Sequence, residues 1–308
     1  VLERVDAAFR ALQAQGVRRV TGDMVLDNSV FEAGARDPAA FDGEPLRPYN
    51  ATPDGLLVNF KALILKFAPQ GDGTVLVQSE PPLAGVQVDA SVPALRRPCG
   101  DWQGELQADF SDPARVRFLG AYPAACGERA WPVAYVDPAS YAARELQALF
   151  LASGGELGGR VRMGPTPPQA RLLLAYDSLP LAELIADVNK FSNNMMAQQM
   201  FLTLGAQRRM PAGLAGAREA VQAWWRRFMG RETPPPMLDN GSGLSREERI
   251  SAAALGRLLQ RAAAHAEAGV FLQSLALAGV DGTAARLRER GLAPHAVGNA
   301  RIKTGSLR

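Results

Sequence analysis

Lys190-Phe191-Ser192-Asn193-Asn194-Met195-Met196 sets three small polar residues between two apolar stretches of helical period, LAELIADVNKF before and MMAQQMFLTLG after. Taken alone, Ser192 reads as the N-cap of the second helix, the commonest work of a serine in such a place. Downstream, Asp239-Asn240-Gly241-Ser242-Gly243-Leu244-Ser245-Arg246 describes a tight loop whose glycines supply positive φ. Ser245 followed by Glu248 fits a capping box for the next helix. A phosphate loop is a weak rival there, because no Gly-Lys-Ser/Thr follows. Last comes Arg301-Ile302-Lys303-Thr304-Gly305-Ser306, an alternating strand pattern entered from a Gly-rich loop. Of the 34 basic residues only four are lysines, so Lys303 stands out against an arginine background.

Around these segments the chain changes character. At 308 residues it exceeds the ~250–300 at which single cores stop growing, which favours two or more domains. Residues 2–15 place Leu2, Val5, Phe9 and Leu12 at helical spacing, and Gly16 supplies a stop. From about 30 to 136, strand-like runs (LLVNFKALILKF, GTVLVQS, RVRFLGAY, WPVAYV) alternate with Gly/Pro turns. YAARELQALFLASGG then reads as a helix, and RVRMGPTPP and ARLLLAYDS as strand-like segments. From Leu181 on, helical periodicity dominates. The expected division is a β-rich unit over residues 1–137 and a helix-rich unit over 138–308.

Composition removes several functions. A net charge of +3 with acids interspersed is not the basic stripe of a nucleic-acid binder. No apolar run approaches the ~18 residues of a membrane span. With two histidines and two cysteines, no zinc-type ligand cluster is expected, and nothing suggests a cofactor. His265 and His295 lie in unremarkable contexts and read as structural or surface residues. Cys99 and Cys126 enclose 26 residues in turn-like, polar surroundings. They are a disulfide candidate in an oxidising compartment and two plain thiols in the cytosol.

Together, Ser-x-Asn, the Gly-Ser-Gly-Leu-Ser loop and Lys-Thr-Gly, in that order, are far more specific than any one of them. SLPLAELIADVNKFSNNMMAQQMF, DNGSGLSREERISAAAL, LALAGVDGTAARLR and RIKTGSL resemble D-alanyl-D-alanine carboxypeptidases/endopeptidases of the low-molecular-mass, class C penicillin-binding type. GVRRVTGDMVLDNSVF resembles that family's inserted region. The resemblance implies an α+β fold: a β-lactamase/DD-peptidase-like catalytic domain, antiparallel sheet with helices, carrying a β-rich insert. It implies a serine acyl-enzyme, peptidoglycan stem peptides and β-lactam antibiotics as partners, and a periplasmic or secreted location.

The resemblance also assigns roles. Ser192 would pass a proton between the active-site lysine and the departing amine, and Asn194 would bond the substrate's peptide carbonyl. Lys303 would hold Ser192 and attract the substrate carboxylate, which Thr304 would bind. Gly305 would let the backbone approach, and the Ser306 N–H would be an oxyanion donor. Arg246 would pair with a diaminopimelate carboxylate, its plain alternative being a surface arginine in a helix first turn. One departure is large. The residues three before the four lysines are Val58, Leu63, Asp187 and Ala300, so the chain holds no Ser-x-x-Lys. The expectation is therefore the middle of a longer protein, with the nucleophile encoded before Val1 and more strands and a C-terminal helix after Arg308. A non-catalytic cell-wall peptide-binding or scaffolding protein is one alternative. A β-lactamase-like hydrolase is another, less compatible with the long β-rich insert.

Overall fold

A computed structural model describes residues 2–32, 34, 37–291 and 294–305. The chain divides into two compact units, residues 1–28 with 35–176 and residues 29–34 with 177–308.

The first unit opens with α1 (Leu2–Ala14), β1 (Arg19–Val20) and β2 (Met24–Leu26). The strands β3 (Ala62–Pro69), β4 (Thr74–Glu80), β5 (Gln87–Val88) and β6 (Ser91–Leu95) follow. After α2 (Trp102–Leu106) come β7 (Ala108–Asp112), β8 (Arg115–Phe118), β9 (Tyr122–Pro123) and β10 (Arg129–Ala134). The unit ends with α3 (Tyr141–Ala152), β11 (Glu156–Leu157) and β12 (Val161–Met163). Its main sheet runs β10-β3-β4-β6-β9, antiparallel except for the β6–β9 edge, and β5-β8-β7 make a second sheet. Alternation decides which face is buried: Val75 and Val77 of β4 point into the core while Thr74, Leu76 and Gln78 point out. Phe67, stacked on Tyr122, centres that core.

Cys126 belongs to this core and is buried, not the polar turn residue its sequence context suggested. It is bonded to Cys99 across a separation of 27 residues. Closing a loop of that length stabilises by roughly 3–4 kcal/mol in the chain-entropy model.

Residues 170–178, read as strand-like, form no strand; Leu172 and Leu173 are exposed. An apolar run becomes a strand only where another strand pairs with it, and no strand pairing among the described residues falls on this run.

The second unit holds α4 (Leu181–Phe191), α5 (Asn194–Ala206), α6 (Leu214–Met229), α7 (Ala252–Ala263) and α8 (Ala268–Ser274). A short antiparallel pair, β13 (Ala276–Leu277) and β14 (Arg301–Ile302), completes it. Residues 29–34 belong here because Phe31 bridges Ala212: the Glu32 N–H donates to the Ala212 carbonyl and the Ala212 N–H to that of Val30. Gly205 lets α5 lie close to α6, since a Cβ there would come within 3.0 Å of the Ala217 nitrogen. The final strand is shorter than its alternating sequence implied. β14 ends at Ile302 because β13 offers only Ala276 and Leu277 as partners, and Lys303 lies just beyond.

One buried acid in the first unit makes a prediction. Glu145 on α3 is fully buried, and neither carboxylate oxygen has a hydrogen-bond partner. The nearby Tyr141 hydroxyl gives its proton to the Ala62 carbonyl at 2.8 Å. Burial therefore pushes the Glu145 pKa up to about 7. A raised acid pKa costs stability as the unfolded chain ionises first, so the penalty grows from about pH 4.5 and levels off above pH 7. Glu145→Gln is expected to remove this slope. Urea unfolding at pH 5 and pH 8 should show the variant gaining on wild type by on the order of 3 kcal/mol at the higher pH. Parallel pH profiles would contradict the assignment.

Candidate active site

The site is built where α4 ends. Leu184, Ile185 and Val188 repeat at helical spacing, Glu183 lies in the first turn and Lys190 in the last, which suits the helix dipole. The helix stops because Ser192 turns left-handed, with φ 56° and ψ 45°. That conformation is uncommon outside glycine and costs roughly 1–3 kcal/mol. Asn193, not Ser192, then caps α5, its side chain accepting from the Met196 N–H at 3.0 Å. The sequence placed the cap one residue early: with Asn193 bonded to the backbone, the Ser192 hydroxyl is free for other work.

It meets Lys303. The Lys303 ammonium donates to Ser192 Oγ at 2.8 Å and to the Thr304 carbonyl at 2.7 Å. Lys61 pairs with Asp54, Lys66 with Glu80 and Lys190 with Asp281; among the described residues Lys303 alone of the four lysines has no carboxylate partner. Desolvation pulls its pKa below the ordinary lysine value.

Two polar ties produce this meeting. Asn189 of α4 donates to Ser274 Oγ at 2.8 Å, just before β13. Lys190 donates to Asp281 at 2.6 Å, just after it. The end of α4 is thereby held to both flanks of β13. Pairing of Ala276 with Ile302 and of Leu277 with Arg301 carries that register to β14, and the next residue is Lys303.

Asn194 joins the glycine-rich loop to the site. One hydrogen of its amide goes to the Ser242 carbonyl at 2.7 Å, and an amide has a second to offer. Gly241 and Gly243 both have positive φ, as the sequence required, and a Cβ on Gly241 would strike the Phe201 ring. The capping box at Ser245 does not form. Ser245 Oγ accepts from the Glu247 N–H, and α7 begins later, with Ser251 as its cap. Glu248 instead folds back, one oxygen accepting the N–H groups of Asp239, Asn240 and Gly241. It organises the loop, a role that spacing alone could not reveal. Arg246 stands exposed on this loop, four residues after Ser242, and not in a helix.

Thr304 follows Lys303, its hydroxyl 2.7 Å from that of Thr283. Gly305 is exposed beyond it, and Ser306 lies outside the described residues. Ser192, Lys303 and Thr304 are thus brought to one place, with Asn194 two residues from Ser192.

The model of the D-Ala-D-Ala carboxypeptidase 3 (S13) family matches residues 2–308. The chain belongs to that family. Among curated relatives, it is 25% identical over 301 residues to the D-alanyl-D-alanine carboxypeptidase DacB of Haemophilus influenzae, covering 96% of this chain and 62% of the relative. It is also 25% identical over 338 residues to the D-alanyl-D-alanine carboxypeptidase of Actinomadura sp. (strain R39), covering 99% of this chain and 58% of the relative. The chain therefore spans about three fifths of these relatives' length. The crystal structure of penicillin-binding protein 4 (dacB) from H. influenzae superposes with a TM-score of 0.76 at 24% identity, covering 99% of this chain and 67% of that one. Its complex with a novel β-lactam gives 0.69 at 24% identity, with 99% and 66% covered. The fold is the α+β, DD-peptidase-like one expected for an S13 member.

The Lys190–Asp281 tie has a pH signature. The hydrogen bond from Lys190, with that from the Leu277 N–H, holds the Asp281 carboxyl below the usual range. A lowered acid pKa contributes stability above the unfolded-state pKa and loses it as pH falls through the folded-state one. Asp281→Asn is expected to lower the melting temperature at pH 7, and the gap to wild type should close as pH drops below about 4. A gap that does not change with pH would contradict the charged tie.

Proposed function

We propose that this chain is the substrate-binding and proton-relay part of a serine-type D-Ala-D-Ala carboxypeptidase/endopeptidase acting on peptidoglycan stem peptides. The observation that carries the reading is the 2.8 Å bond between Lys303 and Ser192, residues 111 apart in sequence. An ammonium with no carboxylate partner among the described residues, lowered in pKa and held on a hydroxyl, is suited to hand a proton along that hydroxyl. Ser192 relays it between the acylating segment and the departing amine. The second amide hydrogen of Asn194 takes the substrate carbonyl. Thr304 and the positive potential of Lys303 hold the terminal carboxylate, Gly305 gives it room, and the Ser306 N–H serves as an oxyanion donor. Arg246, on the loop that Asn194 holds, is the residue for a second carboxylate on the stem peptide. The acylating serine and its lysine come from outside these 308 residues, which contain no Ser-x-x-Lys. A disulfide supports placing the protein in the periplasm or outside the cell.

That missing motif is also what favours a second reading, a non-catalytic cell-wall peptide-binding protein that keeps the pocket. A fluorescent penicillin separates the two. The full-length gene product should form a covalent adduct stable to denaturation, and Lys303→Ala should slow labelling on the order of 100-fold. An unlabelled wild type supports the binding protein; undiminished labelling of Lys303→Ala removes the role given to that lysine.

A further inference from the structure

Asp281-Gly282-Thr283 lies between the two halves of the site, and its function is unassigned by the reading above. Asp281 accepts from Lys190 with one oxygen and from the Leu277 N–H with the other, at 2.6 and 2.7 Å. Gly282 packs against the end of α4 so closely that a Cβ would come within 2.3 Å of the Lys190 carbonyl oxygen, and its φ is +54°. No other residue fits both demands. Thr283 then reaches the opposite side, where its hydroxyl meets that of Thr304 at 2.7 Å. One three-residue turn therefore holds the helix end that carries Ser192 and touches the side chain expected to bind the substrate carboxylate.

We propose that Thr283 is a positioning residue that directs the Thr304 proton at the substrate carboxylate; this rests on the peptidase reading above. Two hydroxyls at this distance share one hydrogen bond, and either can donate. If Thr304 donates, its only proton points away from the substrate. An arriving carboxylate is the stronger acceptor, so the pair aligns in one direction: Thr283 donates to Thr304, and Thr304 donates to the anion. Hydrogen bonds in such a chain polarise one another, and those to charged groups are the stronger kind. Because Asp281 and Gly282 fix the turn to α4, Thr283 does not swing away to another partner.

The test uses full-length enzyme and compares acylation rates for benzylpenicillin and its methyl ester, which differ at the carboxylate that Thr304 is to bind. Thr283→Val keeps the shape and removes the hydroxyl. It is expected to slow acylation by the free acid about 10-fold or more while changing the ester rate less than about 2-fold. Thr283→Ser restores the hydroxyl and should return most of the preference for the acid. Equal slowing of acid and ester by Thr283→Val, or no slowing of either, overturns the proposal, as does a Ser variant that behaves like Val. Wild type that no penicillin acylates overturns the peptidase reading itself and this inference with it. Wild type that is acylated, with an acid preference that Thr283→Val leaves intact, overturns the inference alone.

Discussion

Lys190 donates to Asp281 across 2.6 Å, and the rest of the site is placed by that contact and its partner from Asn189 to Ser274. Both grip the short strand β13, one on each flank, and β13 has only two residues with which to set the register of β14. Slipping that register by one residue would turn every side chain of β14 to the other face. Lys303 would then leave Ser192. A partly exposed ion pair of this kind contributes about 1 kcal/mol or less to stability. Its importance is geometric: it converts a helix end and a strand end, far apart in sequence, into a hydroxyl and an ammonium at hydrogen-bond distance.

The same economy explains the backbone at Ser192. A left-handed serine is unfavourable, yet it lets α4 stop at Phe191 and α5 start at Asn194, with only Ser192 and Asn193 between them. Asn193 takes the capping work, Asn194 takes the loop, and Ser192 is left to face Lys303. Each polar residue of the trio has one task, and exchanging neighbours would break two contacts at once. The four lysines divide in a similar way. Three lie on carboxylates; the fourth lies on a hydroxyl.

Much of this was legible in the sequence. Helical periodicity gave α4 through α7; the run AGVFLQSLALAG, also helical in period, holds only the seven residues of α8 before β13 begins. The ordered set of Ser-x-Asn, glycine loop and Lys-Thr-Gly pointed to the family. What escaped was non-local. Nothing around Ser192 says that its neighbour is the better cap, because both residue types cap helices. Glu248 sits at capping-box spacing but bends back to three N–H groups, a choice settled by the buried Asn240–Ser242 turn it serves. Asp281 and Thr283 were read past because their partners lie 91 and 21 residues away. The exposed run at 172–173 illustrates the converse: strand character in the sequence produces a strand only where a partner edge exists.

A double-mutant cycle on the acylation rate of the full-length protein, combining Ser192→Ala with Lys303→Ala, addresses the central pairing most directly. If the two side chains act as one unit, each single replacement removes the same function, and the double variant is no slower than the worse single one. If their losses multiply, Ser192 and Lys303 act independently, and the 2.8 Å bond between them is not the centre of the site.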